Sequence, residues 1–278
     1  MLGHELRNPL APISTALQLM KLQPNVGAAR ERAVIERQVQ HLLGLVDDLL
    51  DVSRITRGKV ELRLVPVVLA DALARSIEVA SPLFEQHRHQ LDVDVPAGLL
   101  VLADAGRLAQ IISNLLTNAA KYTPPGGRVV VRGRRVGSHV ELSVTDTGIG
   151  IASSMLETIF QPFIQTRQSI ARSQGGLGLG LAIVSNLVEL HGGSVLAKSE
   201  GLGRGSEFIV TLPALDAAKN SEQVVSEPDA RPAGSGRVLV VDDNVDAAES
   251  MSALLEFWGH EAHVCHDGPA ALKAVEAL

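Results

Sequence analysis

Residues 104–122 read DAGRLAQIISNLLTNAAKY. Asp104 is a helix-capping residue type, and the run that follows predicts a long helix ending near Tyr122. Ile111, Ile112, Leu115 and Leu116 form an apolar row with polar residues set oddly inside it. Asn114, Asn118 and Lys121 are spaced four and three apart, so they share one face of the helix. Amide oxygens can ligate a hard cation and a lysine neutralises phosphate, so this face suits a metal–phosphate group. Taken alone, the same pattern would also suit a solvated helix face.

Working outward toward the C-terminus, Pro124 to Gly127 is a turn, and Arg128 to Arg134 and Val140 to Thr145 read as strands. Asp146-Thr-Gly148-Ile-Gly150 follows, with glycines that let a base or phosphate approach backbone while the carboxylate accepts from an exocyclic amine. A second burst, Gly175, Gly176, Gly178 and Gly180, opens a helix that runs through His191 and is stopped by Gly192 and Gly193. Helix N-termini present free N–H groups to anions. The burst is not a P-loop, because Gly-Lys-Ser/Thr is absent, and no short βαβ unit makes it a dinucleotide fingerprint. Ser194 to Ser199 and Glu207 to Leu212 are further strands.

Toward the N-terminus, the unit begins near Gly58 with a strand at Val60 to Val65, a helix at Leu69 to Gln86 and a strand at Gln90 to Val95. Several strands with helices on one face predict a two-layer α/β sandwich of mixed or antiparallel pairing over residues 58–213.

Residues 1–57 predict a helical hairpin. Leu6, Leu10, Ile13, Leu17 and Met20 step by 4, 3, 4, 3, as do Ile35, Val39, Leu42, Val46 and Leu49. Pro9 and Pro12 predict a bend in the first helix. Gln23 to Gly27 is the polar break. A hairpin cannot bury such a seam alone, which predicts a four-helix dimer, the alternative being that it packs on its own downstream domain. His4 lies about 200° from Leu6 around the helix, off the seam, and neighbours Glu5. One ring nitrogen held by an acid leaves the other free as a nucleophile.

Residues 214–236, rich in Ala, Ser, Pro, Asp and Glu, read as a linker. Residues 237–278 open with RVLVVDD, a buried strand ending in Asp242 and Asp243. A helix from about Val245 to Trp258, a strand at Ala262 to Cys265 and a last helix complete a βαβα start. Two strands rarely make a stable doubly wound sheet, so this segment is expected to be poorly packed.

Composition narrows the function classes. The 46% apolar content over 278 residues is enough for real cores, with only 3% aromatic residues to build them. A net charge of -6 argues against a nucleic-acid binder. Cys265 is the only cysteine, so no internal disulfide forms and a reducing, cytoplasmic setting is expected. No run approaches 18 apolar residues, so any membrane attachment would come through segments absent from this chain.

In this order and spacing the pieces resemble the sensor histidine kinases of two-component systems, of the hybrid type that carries a receiver domain. His4-Glu5-Leu6-Arg7-Asn8-Pro9 is similar to their H box, and Asn114 to Tyr122 to their N box. Asp146 to Gly150 resembles the first glycine box, Phe160-Gln-Pro-Phe163 the F box, and Gly176 to Gly180 the second glycine box. Gly203-Arg-Gly205-Ser-Glu-Phe208 resembles the last turn and strand of the ATP domain. The resemblance implies an α+β multidomain protein-histidine kinase using ATP and Mg²⁺. His4 would accept the γ-phosphoryl group, with Glu5 orienting the ring and acting as base, and Glu5 with Asn8 would position water to dephosphorylate a receiver. Asn118 would hold Mg²⁺, Asn114 and Lys121 would support the phosphates, Tyr122 would pack near the nucleotide and Asp146 would read the adenine amine. Gly148 and Gly150 would border the nucleotide, and Gly176, Gly178 and Gly180 would hold phosphates. Ile164 to Gly175, with Arg167 and Arg172, would be a lid. Asp242 and Asp243 would be part of a receiver's acidic metal site. The implied partners are a second copy of the chain and a response-regulator receiver.

The same ATP fold serves DNA gyrase and MutL repair proteins, in which a glutamate activates water where this chain has Asn114. An amide cannot take that proton, which disfavours hydrolysis. An inert dimeric scaffold is the non-enzymatic alternative, and decayed motifs, absent here, would favour it. Relatives extend the first helix upstream of the phosphoacceptor, so the turn around His4 is expected to fray. The resemblance implies that such a receiver's acceptor aspartate would fall beyond residue 278.

Overall fold

A computed structural model describes residues 2–22, 28–56, 60–164, 177–215 and 236–277. The chain divides into two compact units, Met1–Ser221 and Glu222–Leu278.

Helices α1 (Leu2–Leu22) and α2 (Ala29–Thr56) pack on each other. The connection over residues 23–28 can span at most roughly 22 Å, less than the roughly 30 Å length of α1, so the pair runs antiparallel. Helical structure is unbroken through Pro9 and Pro12. Ala16 and Leu45 are buried between neighbours, whereas Leu10, Leu17, Val39 and Val46 of the two seams are exposed at 50%, 46%, 39% and 44%. Part of each apolar stripe therefore lacks a covering surface.

The remainder of the first unit is an α/β sandwich. Its strands are β2 (Gln90–Asp94), β4 (Arg128–Val136), β5 (His139–Asp146), β6 (Ser194–Lys198) and β7 (Ser206–Pro213), arranged β2-β4-β5-β7-β6. Only β2 and β4 pair in parallel, so the sheet is mixed. Alternation along the strands puts Val129, Val131, Leu142, Val144 and Val210 on one buried face. That face meets α3 (Leu69–His87), α4 (Ala105–Tyr122) and α5 (Gly180–Leu190). Leu108, Ile111, Ile112, Leu115 and Leu116 of α4 are fully buried, which explains the apolar row between the amides.

Beside the large sheet, β1 (Val65–Val68) pairs antiparallel with β3 (Leu100–Ala103). The strand expected at Val60 to Val65 thus starts where it was expected to end, and β3 is additional. Four-residue strands carry too little alternation to mark themselves, and pairing with each other is what makes them extended. Ala214 and Leu215 remain bonded to this region, through a bridge from Ala214 to Val101 and the Leu215 N–H donating to the Leu100 carbonyl.

The second unit contains β8 (Arg237–Val241) and β9 (Glu261–Cys265), paired in parallel, with α6 (Val245–Phe257) and α7 (Gly268–Ala277). Among its described residues only Ala248 and Ser252 are buried, while Phe257 and Trp258 are 85% and 61% exposed. The four elements match the expected βαβα start, and burial among the described residues is shallow. A complete receiver domain is not shown.

Candidate functional site

Between α4, α5 and the ends of β5 and β7 lies a cleft of about 670 Å³, its open mouth included. Asp146 sits in it at the end of β5, 6% exposed. Its Oδ1 accepts the Gly148 N–H at 2.7 Å, and its Oδ2 accepts the Ser206 hydroxyl. Burial pushes the Asp146 carboxyl above its ordinary range, and the bonds from Ser206 and Gly148 pull against that shift. Around the carboxylate the walls are apolar: Ile149, Ile151, Met155, Ile159, Leu181 and Phe208. One buried acceptor at the base of an apolar slot is suited to a flat heterocycle that carries an N–H₂ group.

The glycines after Asp146 have steric reasons to be there. A Cβ on Gly148 would lie 2.5 Å from the Tyr122 carbonyl oxygen and 2.5 Å from Asp146 Oδ1. Gly150 combines φ of 69° with a Cβ direction only 2.1 Å from the Gly201 carbonyl oxygen. The turn therefore packs against both the end of α4 and the loop before β7.

Asn118 and Tyr122 of α4 line the cleft. Asn114, one turn earlier, donates its amide to the Gly180 carbonyl at 3.4 Å, which places the N box against the start of α5. Lys121 holds its ammonium 5.5 Å from the Tyr122 ring centre, and burial raises the Tyr122 hydroxyl pKa. Gly178 adopts φ of 70°, and α5 starts at Gly180 with no side-chain cap, leaving its first N–H groups for another acceptor. Asn114, Asn118, Tyr122, Asp146, Gly148, Gly150, Gly178 and Gly180 thus converge on one region. Gly176 and residues 165–175 of the expected lid, Arg167 and Arg172 included, lie outside the described residues.

His4 and Glu5 are in the first turns of α1, but their side chains are outside the described ones; Asn8 is exposed. In the second unit, Asp242 and Asp243 follow β8 and are exposed, with Asp242 Oδ1 accepting the Asn244 N–H at 2.9 Å. Among the described residues no group of three or more His, Cys, Asp or Glu is placed to hold a metal ion. Nor is any helix there long and apolar enough to cross a membrane.

The bond from Ser206 to Asp146 and the apolar wall were not read from the sequence, although Ile149, Ser206 and Phe208 stand inside the motifs quoted from it. The nearest signal was Gly205, whose φ of 71° turns the chain so that Ser206 pairs with Asp146 across β5 and β7.

An α/β sandwich with a buried aspartate, an amide-bearing helix and a glycine-led helix around one cleft is an ATPase domain of a recognised class. Residues 103–216 match the model of the histidine kinase-, DNA gyrase B- and HSP90-like ATPase, and residues 1–58 match the His Kinase A (phospho-acceptor) domain. The chain belongs to the histidine kinase family. It is 35% identical over 289 aligned residues to the circadian input-output histidine kinase CikA of Synechococcus elongatus, covering 100% of this chain and 37% of CikA. With the autoinducer 2 sensor kinase/phosphatase LuxQ of Vibrio cholerae it shares 34% identity, covering 100% of this chain and 33% of LuxQ. It therefore spans about a third of the length of these relatives. The crystal structure of full-length ShkA in complex with AMPPNP superposes with a TM-score of 0.59 at 30% identity, over 98% of this chain and 56% of ShkA.

Proposed function

We propose that the chain is the kinase core of a two-component signalling protein and catalyses ATP-dependent phosphorylation of its own His4. The observation that carries the reading is Asp146, a carboxylate buried at the base of an apolar cleft bordered by the N-box helix. ATP would lie with its adenine amine against Asp146 and its ring between Ile149, Met155 and Phe208. Its phosphates would then run toward Asn114 and the N-terminus of α5, beside Gly176, Gly178 and Gly180. AMPPNP in the ShkA complex is an ATP analogue, which supports this choice of nucleotide.

Mg²⁺ fits the donor set: Asn118 and Asn114 offer amide oxygens, and Asn114 spends its amide N–H₂ rather than its oxygen on Gly180. When bound, the ion would neutralise charge on the transferring group. Lys121 would add a cation on the same helix face. His4 would attack phosphorus through one ring nitrogen while Glu5 holds the proton on the other; the bond from phosphorus to the ADP oxygen breaks as the phosphorus–nitrogen bond forms. Little covalent help is required, so positioning and charge neutralisation are sufficient.

The exposed positions Leu10, Leu17, Val39 and Val46 of the α1 and α2 seams support a homodimer in which two hairpins form a four-helix bundle. The phosphoryl group would pass to an aspartate of a receiver domain. Glu5 and Asn8 would direct water in the reverse, phosphatase reaction, in keeping with the kinase/phosphatase name of LuxQ. The segment from Arg237 onward would be the start of such a receiver, with Asp242 and Asp243 in its metal site. We assign residues 1–57 to dimerisation and phosphotransfer, 58–213 to ATP binding, 214–236 to a linker and 237–278 to the receiver start.

Incubation with γ-labelled ATP and Mg²⁺ tests the reading. Acid-labile, alkali-stable protein label that disappears in His4→Ala and in Asn118→Ala is expected. Release of free phosphate that survives His4→Ala, with no labelled protein, would overturn it in favour of an ATPase.

A further inference from the structure

Ser199 follows β6, outside every motif quoted from the sequence, and its hydroxyl joins the two loops that frame Asp146. The Ile151 N–H donates to Ser199 Oγ at 3.0 Å, and Ser199 Oγ donates to the Gly205 carbonyl at 2.7 Å. A serine hydroxyl has one proton, and a separation of 3.3 Å from the Gly201 carbonyl leaves Gly205 the better acceptor. Backbone bonds run alongside, from the Gly205 N–H to the Gly148 carbonyl at 3.1 Å and from the Gly203 N–H to the Ile149 carbonyl at 2.7 Å. Ile149, Ile151 and Ser206 line the cleft, so these bonds form the backing of its wall.

The peptide between Gly205 and Ser206 is held at both ends. In a trans peptide the C=O and N–H point in opposite directions. Here the carbonyl is held by Ser199, while the N–H donates to the Asp146 carboxylate, as does the Ser206 hydroxyl. No side chain can stiffen Gly205, because its φ is 71° and a Cβ there would collide with the Asp146 carbonyl oxygen. Glycine permits that approach and resists rotation of its peptide less than other residues do. A turned peptide would aim the Gly205 carbonyl at the Asp146 carboxylate and withdraw the Ser206 N–H. Ser199 supplies, from the far side, the restraint that Gly205 lacks.

We propose that Ser199 is a positioning residue for base recognition: by holding the Gly205–Ser206 peptide it keeps both Ser206 donors on Asp146 and so fixes the plane of the carboxylate that faces the base. The proposal rests on the kinase reading above, in which Asp146 meets the amine of adenine. A carboxylate oxygen accepts more than one bond, so Ser206 and the amine can share Asp146 provided its plane does not turn. Ser199 is not among the residues that line the cleft. Its loss therefore acts through Ser206 and Asp146, and leaves the phosphate end at Asn114 and Gly180 as it was. The cost falls on nucleotides that carry the amine.

The full chain carrying Ser199→Ala or Ser199→Thr is titrated calorimetrically with ATP and with inosine triphosphate, which has a carbonyl oxygen in place of the amine. Ser199→Ala is expected to raise the Kd for ATP about three- to tenfold, the worth of one net hydrogen bond, and to leave that for inosine triphosphate within about twofold. Ser199→Thr keeps the hydroxyl and should restore the ATP value. In His4 labelling the loss should fall on KM for ATP rather than on kcat. In an Asp146→Asn background Ser199→Ala should change the Kd for ATP by less than about twofold, because both substitutions act on one bond. Amide hydrogen exchange reads the peptide without nucleotide, and Ser206 should exchange faster in Ser199→Ala. Equal weakening of both nucleotides would mean a loosened cleft and would overturn the positioning role. Full additivity with Asp146→Asn, or an unchanged Ser206 exchange rate, would overturn it too. Wild type that favours ATP, with Ser199→Ala favouring it to the same degree, would overturn the role of Ser199 alone. Wild type that binds neither nucleotide would instead overturn the kinase reading, and base recognition with it.

Discussion

Replacing Asp146 by Asn tests the recognition chemistry of the cleft with almost no change in shape. The carboxylate has two protein donors, Gly148 N–H on Oδ1 and the Ser206 hydroxyl on Oδ2. An amide can keep its oxygen toward Gly148 and turn its N–H₂ toward Ser206, whose hydroxyl rotates to accept. Loss of a charge that burial already disfavours offsets part of the weakened bonding, so the melting transition should shift little. Binding is different. An adenine N–H₂ that met a carboxylate lone pair would meet an N–H₂ instead, and a hydrogen bond to a charged acceptor is worth about 1.5–3 kcal/mol. The Kd for ATP should therefore rise roughly 10- to 150-fold. Inosine triphosphate, with a carbonyl oxygen in place of the amine, gives the complementary perturbation. Calorimetric titration of both proteins with both nucleotides closes the cycle: wild type should discriminate strongly against inosine triphosphate, and Asp146→Asn should lose most of that discrimination. An Asp146→Asn protein that binds ATP within about twofold of wild type would refute the assignment. So would a wild type that binds the two nucleotides equally.

Two further perturbations read packing and charge. Ala at Gly148 would drive its Cβ against the Tyr122 carbonyl and the Asp146 carboxylate, so Gly148→Ala should lower stability by about 1–3 kcal/mol in urea titration and abolish nucleotide binding. Asp48 has its pKa raised from 3.8 to about 6, first by burial and then by the neighbouring charges of Asp51 and Asp47. The folded state thus holds this proton more tightly than the unfolded one, and the stability it contributes is full below about pH 4 and lost as pH rises through about 6. Asp48→Asn should flatten that decline and stabilise the protein at pH 7 by about 1 kcal/mol once partial solvent access is allowed for. Denaturation midpoints that move equally at pH 4 and pH 7 would contradict it.

The parts of the fold legible in sequence were those whose signal is carried by one segment. The helix of residues 105–122 announced itself through the Asp104 cap and the apolar row, and α5 through glycines before and after it. Strands β4, β5 and β7 were found because each is eight or nine residues long, enough for alternation to register. β1 and β3 escaped in whole or part because a four-residue strand is decided by its partner, here by each other. The candidate site divides the same way. Asn118, Tyr122, Asp146 and the glycines stood in contiguous motifs, while Ser206 becomes a partner of Asp146 only through the register of β5 with β7.

The contact of Asp51 with Arg107 and Gln110 lies beyond any such reading because it is an agreement between distant segments. Asp51 and Arg107 look like ordinary surface charges on amphipathic helices, and nothing in either neighbourhood says that the two will be brought together and largely hidden from water. Burial of such a pair is weak evidence for stability, since an apolar contact of similar volume would often hold as well or better. What an ion pair supplies that an apolar contact does not is a closed state whose loss is compensated by hydration of both charges. The apolar contacts of Leu45, Leu49 and Val52 and the ion pair at Asp51 together join the hairpin to the nucleotide domain.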